Sequence, residues 1–245
     1  MDTKQLEVLI SQCLQDFYKR RLDKLDKLKL KTFLRRKNPY LFRALATESA
    51  SEIVERVMAA YIGSSDETIF GDAFFEPVAR IVSGGKVSDA KGVDFVVESS
   101  GRILAVALKS GPNIFNSSQK DKQAQEFLSV RNRLYKMHKE FDPVLGHAYG
   151  RLDTKPSKDR IYRDLSGQAF WNEITGDDDF YLKLMRLMKD APLKHKKEYD
   201  PIWNAAKNRF TSEFVQEFCL PDGHIDWEKL TRFVSERPTK PLKKS

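Results

Sequence analysis

Asp94 and Lys109 are the two charged residues whose placement is suited to chemistry. Asp94 stands in one apolar run, Val93-Asp94-Phe95-Val96-Val97, and Lys109 closes a second, Ile103 to Leu108, with Ser99-Ser100-Gly101 between them. Two apolar runs joined by such a turn read as an antiparallel β-hairpin. A strand sends successive side chains to opposite faces, so Ile103, Ala105, Ala107 and Lys109 share one face. A lysine ending that face is costly to desolvate unless a carboxylate, phosphate or metal-bound water lies close. An acid on one strand and a lysine on its neighbour can together hold a divalent ion and orient a water beside a phosphate. The same two charges are also what the water-facing ends of an ordinary hairpin carry.

The elements around the hairpin have to position these groups. Leu6, Leu9, Ile10, Cys13, Leu14 and Phe17, then Leu22, Leu25 and Leu28, keep helical spacing from Thr3 to Leu30. Asn38-Pro39 breaks the helix, and Ser49 or Ser51 can cap the next one, expected through Tyr61. Phe70, Phe74, Val78 and Ile81 form a further helical stripe, with Asp72 and Glu76 four apart on another face and Pro77 inside it. After Lys109 the chain turns at Ser110-Gly111-Pro112-Asn113, and Asn116-Ser117-Ser118 offers caps for a helix expected to reach Phe141. Gly146 to Arg151 and Ile161 to Leu165 read as strands, Gln168 to Met188 and the chain through Phe218 as helices, and Trp227 to Val234 as a last short helix. Helices, a small strand cluster and helices again fit an α/β core with helical N- and C-terminal additions. The expected division is 1–66, a basic helical region; 67–190, the core; and 191–245, a helical extension.

Net charge is +8 and the pI about 9.3. Its distribution says more than its sum. Lys19, Arg20, Arg21, Lys24, Lys27, Lys29, Lys31, Arg35, Arg36 and Lys37 face only Asp23 and Asp26 in that segment, so the rest of the chain is close to neutral. A concentrated positive segment suits a polyanion, because each phosphate contact releases condensed counterions. The competing reading is a solvated helix face, which Asp23 and Lys27 at i,i+4 support. Mean hydropathy is -0.54, and no apolar run reaches the ~20 residues that span a bilayer, which argues against a membrane protein. The N-terminus carries no signal-like apolar core, so a cytoplasmic location is expected. Cys13 and Cys219 lie far apart and read as structural thiols. His138, His147, His195 and His224 show no metal-ligand spacing and read as surface or packing residues.

The order of a helix bearing Glu76, a strand with Asp94, a strand ending in Lys109 and a following helix resembles the PD-(D/E)xK nuclease core. More closely, Asn38-Pro39-Tyr40-Leu41, Phe70-Gly71-Asp72, Lys109-Ser110-Gly111-Pro112-Asn113 with Asn116-Ser117-Ser118-Gln119, Tyr149-Gly150, Gly167-Gln168-Ala169-Phe170-Trp171 and Asp222-Gly223 with Trp227 resemble the PmeII-like type II restriction endonucleases. The resemblance covers nearly the whole chain. It implies a restriction endonuclease-like fold, a mixed central β-sheet flanked by helices, and a magnesium-dependent phosphodiesterase acting on double-stranded DNA as a homodimer, with manganese able to substitute. It makes Asp94 the central metal-binding carboxylate, and Lys109 the group that holds the attacking water and stabilises the pentacovalent phosphorane.

One position departs from the pattern. The residue two before the lysine is commonly Asp or Glu and here is Ala107, whose methyl group cannot ligate a metal. Glu76 is the first candidate for the missing acid, Asp72 the second and Glu98 the third. Magnesium takes a few carboxylates and keeps several waters, and the Leu108 carbonyl can complete its shell. Ser110 and Gln119 are either supports of this site or simple turn and capping residues. For DNA the candidates are Lys24, Lys27, Lys31, Arg35 and Arg36 in the basic segment, Asn113, Asn116, Ser117 and Gln119 after the lysine, and Arg151 with the Lys155, Lys158 and Arg160 loop. Arg131 and Arg133 are further phosphate contacts on this reading. Two other functions stay open: a structure-specific or repair nuclease of the same fold, and a nucleic-acid-binding protein whose cleavage site has decayed at Ala107.

Overall fold

A computed structural model describes residues 1–99, 101–112, 117–134, 139–154 and 161–237, with backbone only at Ser117 and Leu134. The helices are α1 (Thr3–Asp26), α2 (Leu30–Leu34), α3 (Pro39–Ala44), α4 (Ala50–Phe70), α5 (Glu76–Val82), α6 (Ser117–Leu134), α7 (Gln168–Thr175), α8 (Phe180–Leu187), α9 (Ala191–Phe218) and α10 (Trp227–Ser235). The strands are β1 (Lys86–Val87), β2 (Phe95–Glu98), β3 (Arg102–Lys109), β4 (Glu140–His147) and β5 (Arg163–Ser166). They form one sheet in the order β1-β2-β3-β4-β5. The first three strands are antiparallel, while β3, β4 and β5 run parallel. This is the mixed sheet flanked by helices of a restriction endonuclease-like α/β fold.

The chain divides into two compact units, one of Met1–Lys19 with Glu67–Leu193, the other of Arg20–Asp66 with the chain from Lys194. The first unit holds the sheet, whose alternation sorts its side chains onto two layers. Phe95, Leu104, Val106, Leu108 and Val144 pack with Ile10 and Leu14 of α1, Val78 and Ala79 of α5, and Phe170 and Trp171 of α7. Ala105, Ala107 and Leu145 pack with Phe127 and Val130 of α6. The second unit has its own core, in which Phe33, Val54, Val57, Met58, Phe210 and Phe214 are fully buried.

Several boundaries differ from the sequence expectations, among them the end of α4, which runs to Phe70 rather than Tyr61. The α6 helix stops at Leu134, and Phe141 lies in β4, which begins at Glu140 and ends at His147 rather than running from Gly146 to Arg151. Helical spacing from Leu134 to Phe141 hid the strand, and Pro143 inside it hid it further. Proline is tolerated there because β5 pairs only from Val144 onward, leaving one side of β4 open at Pro143. Gly176, at φ 72, separates α7 from α8 within the expected single helix. The first helix also ends at Asp26 rather than Leu30.

The far end of the sheet is tied by charge. Arg163 donates to Asp142 (2.7 and 3.0 Å) and to Glu173 (2.7 Å), and Arg102 donates to the same two carboxylates. This links β3, β4, β5 and α7. The hydrogen bond from Arg163 holds the Glu173 carboxyl below its ordinary value; Arg102 acts in the same sense, and burial opposes them. A depressed carboxylate adds stability that is full above its unfolded value and is lost as pH falls through the folded one. Glu173→Gln is therefore expected to melt below wild type by about 2 kcal/mol near neutral pH. The gap should close as pH falls through the depressed value of the folded carboxyl, below the ordinary glutamate range, read by thermal melts across a pH series.

Candidate active site

Asp94 precedes β2, and its backbone N–H bonds the Val106 carbonyl at 2.8 Å. The β2–β3 register pairs Phe95 with Val106, so Asp94 stands across from Ala107, the position lacking an acid. Its Oδ2 accepts the Leu108 N–H at 2.6 Å and lies 3.7 Å from Lys109 Nζ. A strand residue turns its N–H and C=O toward the same neighbour, so the Leu108 carbonyl lies on the edge that faces Asp94. Lys109 and Asp94 are each about one-third exposed, at 33% and 27%.

Glu76 arrives from the helix side. Gly71–Phe75 form a π-helical turn between α4 and α5, and Glu76 begins α5 directly after it. Such wide turns are frequent at functional sites. Burial raises the Glu76 carboxyl above its ordinary value, as do the neighbouring carboxylates of Asp94 and Asp72, while Lys109 and Arg80 pull it down. Asp94, Glu76 and Lys109 thus interact at one end of β3, with Asp72 exposed at its margin. Glu98 is elsewhere: it lies at the other end of β2 and pairs with Lys139 at 3.2 Å.

No three His, Cys, Asp or Glu side chains among the described residues are close enough to hold an ion by themselves. Magnesium does not require three; one or two carboxylates with waters and substrate phosphate suffice. The donor set of Asp94, Glu76 and the Leu108 carbonyl is all oxygen, and its two carboxylates repel each other. A hard cation relieves that repulsion, so these residues fit the ion.

Ser110 joins the two halves of the site. Its hydroxyl donates to the Glu67 carbonyl at 3.3 Å, one turn before the π-helical segment. A Cβ on Gly71 would lie 2.9 Å from Ser110 Oγ, so the helix approaches Lys109's strand this closely only with glycine there. Ser110→Ala is expected to cost about 1 kcal/mol of stability and to slow cleavage several-fold by loosening Glu76, measured by melting and single-turnover rate.

Two supports were not singled out by the sequence reading. Gln123 of α6, 4% exposed, donates to the Gly92 carbonyl at 2.7 Å and pins the turn that leads into Asp94. His147, expected to be a surface or packing residue, is 1% exposed on β4 beside Lys109. Its Nε2 faces Asp164 Oδ1 at 2.7 Å and its Nδ1 the Gly111 carbonyl at 3.0 Å. The ring thereby spans from β5 to the turn after Lys109. The legible signal for it was a histidine at the end of the apolar run Val144-Leu145-Gly146.

The DNA candidates fall in different places. Asn113, Asn116, Lys155, Lys158, Arg160 and the side chain of Ser117 lie outside the described residues. Gln119 stands exposed in the first turn of α6, and Arg151 is exposed just past β4. In the second unit, Lys27, Lys31, Arg35 and Arg36 are exposed. Lys31 pairs with Glu217 at 2.9 Å. Lys24 and Arg36 both lie over the Tyr61 ring, and Arg35 over Phe233. Arg21 serves structure, bonded to Asp66 at 2.8 Å and set over Tyr199. Trp171 and Phe170 are buried, as expected of core aromatics, and both cysteines are free thiols, with burial pushing Cys13 up to about 11.

No curated protein matches the chain. A model of the type II restriction endonuclease EcoO109I family matches residues 4–198, which include the whole sheet and every residue of the Asp94, Glu76 and Lys109 cluster. That is the EcoO109I group and not specifically the PmeII-like one. The matched stretch is well over half of the sequence, and by it the chain belongs to the EcoO109I family of type II restriction endonucleases.

Proposed function

We propose that this endonuclease hydrolyses phosphodiester bonds of double-stranded DNA at a specific sequence, with magnesium, as a member of the PD-(D/E)xK superfamily. The observation that carries the reading is the convergence of Asp94, Glu76 and Lys109 at one strand end inside the matched region. The sequence blocks around Lys109-Ser110-Gly111-Pro112 favour a PmeII-like member.

Asp94 is oriented through Oδ2 by the Leu108 N–H, and Asp94, Glu76 and the Leu108 carbonyl are the groups that would hold the ion. When bound there, magnesium or manganese lowers the pKa of a water and offsets charge on the phosphate. Lys109 orients the attacking water and hydrogen-bonds a non-bridging phosphate oxygen as charge develops. Glu76 takes the place of the acid missing at Ala107. Lys24, Lys27, Lys31, Arg35 and Arg36 supply phosphate contacts that position the duplex, and the loops near Arg151 and Gln119 reach its grooves. On this reading residues 67–190 carry cleavage, and the helical regions on either side bind DNA and pair two copies. A homodimer brings one site to each strand of the duplex. We place the enzyme in the cytoplasm; no described helix is long and apolar enough to cross a membrane.

The test is incubation with plasmid and phage DNA, with and without magnesium. Discrete magnesium-dependent fragments are expected. Cleavage confined to branched substrates would replace the reading with a structure-specific nuclease. DNA retained without any cleavage would favour the decayed site that Ala107 suggests.

A further inference from the structure

Tyr149 is a large aromatic against the turn that follows Lys109, and cleavage as described above gives it no task. It follows β4 by two residues and is 53% exposed. The β3–β4 ladder runs on past its last pair: the Ala148 N–H bonds the Lys109 carbonyl at 2.9 Å and the Tyr149 N–H bonds the Ser110 carbonyl at 3.2 Å. Tyr149 is thereby tied to the residue next to Lys109.

Half-exposed, the ring lies back over Gly111. A Cβ on Gly111 would meet the Tyr149 ring, at 2.8 Å from Cε2 and closer still to Cζ and the hydroxyl oxygen. The phenol end therefore occupies the space where a side chain at position 111 would begin. Gly111 follows Lys109 by two residues, a backbone separation of at most ~7 Å. The turn beneath is locked. His147 engages the Gly111 carbonyl from below. Gly150, at φ +122, fits against Pro112, whose Cγ would be 2.9 Å from a Cβ there. Among the described residues nothing hydrogen-bonds the Tyr149 hydroxyl.

A fixed, water-accessible O–H donor beside a lysine is a complement for an anionic oxygen. A phenol keeps its proton at neutral pH and can donate to an acceptor, and hydrogen bonds to charged partners are the stronger kind. Beside Lys109 on this endonuclease, the available anion is the DNA backbone. We propose that the Tyr149 hydroxyl donates a hydrogen bond to a backbone phosphate oxygen of the bound duplex, next to the phosphate that Lys109 engages, and that Gly111 is glycine so that the phenol can lie there. The inference rests on the endonuclease reading.

The experiment compares wild type, Tyr149→Phe and Lys109→Met on plasmid DNA, by magnesium-dependent single-turnover cleavage and by DNA affinity in calcium. Tyr149→Phe keeps the ring and loses only the hydroxyl. It is expected to melt like wild type and to lose about tenfold in rate or affinity. Its log–log salt slope should stay that of wild type, because no cation has been removed and no counterion release is lost. Wild-type rate and affinity in Tyr149→Phe would overturn the proposal, as would a loss matched by a lower melting temperature. Gly111→Ala should reproduce the loss by displacing the ring. Adding Tyr149→Ala to it should restore stability and leave activity low; recovered activity would also overturn the proposal. If wild type binds DNA and cuts none, the endonuclease reading fails, while the affinity comparison still decides the contact.

Discussion

Asp94→Asn and Lys109→Met should each lower magnesium-dependent cleavage by a thousandfold or more, on the order of 4 kcal/mol of transition-state stabilisation, while DNA is still bound. The choice of substitution follows from the geometry. Asp94 Oδ2 is the acceptor for the Leu108 N–H at 2.6 Å. Alanine at 94 would leave that donor without its partner and mix a folding penalty with a catalytic one. Asparagine keeps an acceptor in place and removes only the charge that a cation requires. Methionine at 109 keeps an unbranched stem against the sheet end and removes the ammonium that faces Asp94 at 3.7 Å. Both variants should therefore melt close to wild type. Wild-type cleavage by either would remove the hairpin from the chemistry. Glu76→Gln should fall less than Asp94→Asn if Asp72 can supply a second carboxylate, and equally if Glu76 alone replaces the acid absent at Ala107.

The reach and the limits of the sequence both show in these residues. The hairpin was legible because period-two alternation with a Ser-Ser-Gly turn is a local signal, and the register then sets Asp94 opposite Ala107. Ala107 itself is buried with Phe127 and Leu145. Glu76 could be named from the order of elements. Its closeness to Asp94 depends on a π-helical turn at Gly71–Phe75, which no spacing announced: the stripe of Phe70, Phe74 and Val78 fits an unbroken α-helix as well. The helix just before the wide turn is held at the Glu67 carbonyl by the Ser110 hydroxyl, forty-three residues away in sequence. The β4 strand was misplaced for a similar reason. Its start carries Pro143 and continues the helical spacing of α6, and only its parallel pairing with β3 and the short reach of β5 explain the proline. Long-range partners decided the strand that local pattern mistook, whereas the break between α7 and α8 is local, at Gly176. The basic segment sits between these cases. Its charge was plain, but the parking of Lys24 and Arg36 on Tyr61 and of Lys31 on Glu217 depends on neighbours that no window of sequence contains.

Gly146→Ala should be the most damaging single methyl group that can be added to the sheet. Gly146 is the penultimate residue of β4, in register with Leu108 on one side and Leu165 on the other, so its backbone cannot slide without shifting both neighbours. A Cβ there would come within 2.6 Å of Phe170 Cδ2. Phe170 is fully buried and cannot yield outward. Its ring meets Trp171 edge-on, with centroids 5.2 Å apart. Trp171 in turn is fastened by its Nε1–H to the Ala148 carbonyl at 2.9 Å, one residue past the strand. Helix α7 is thus held to β4 on both sides of the clash, and the strain falls on the strand end that carries His147 and adjoins Lys109. Overpacking of this kind costs about 3 kcal/mol, which for a chain of this size lowers the melting temperature by roughly 6–12 °C. Cleavage should drop even at temperatures where the variant is folded, because the ladder beside Lys109 is displaced. Phe170→Leu alone leaves a cavity and also destabilises. Combined with Gly146→Ala it makes room for the new methyl group, so the double variant should melt above the sum of the two single losses. Strict additivity in that cycle, or an unchanged melting temperature for Gly146→Ala, would mean that the strand end has slack which the packing of Phe170 against Gly146 denies.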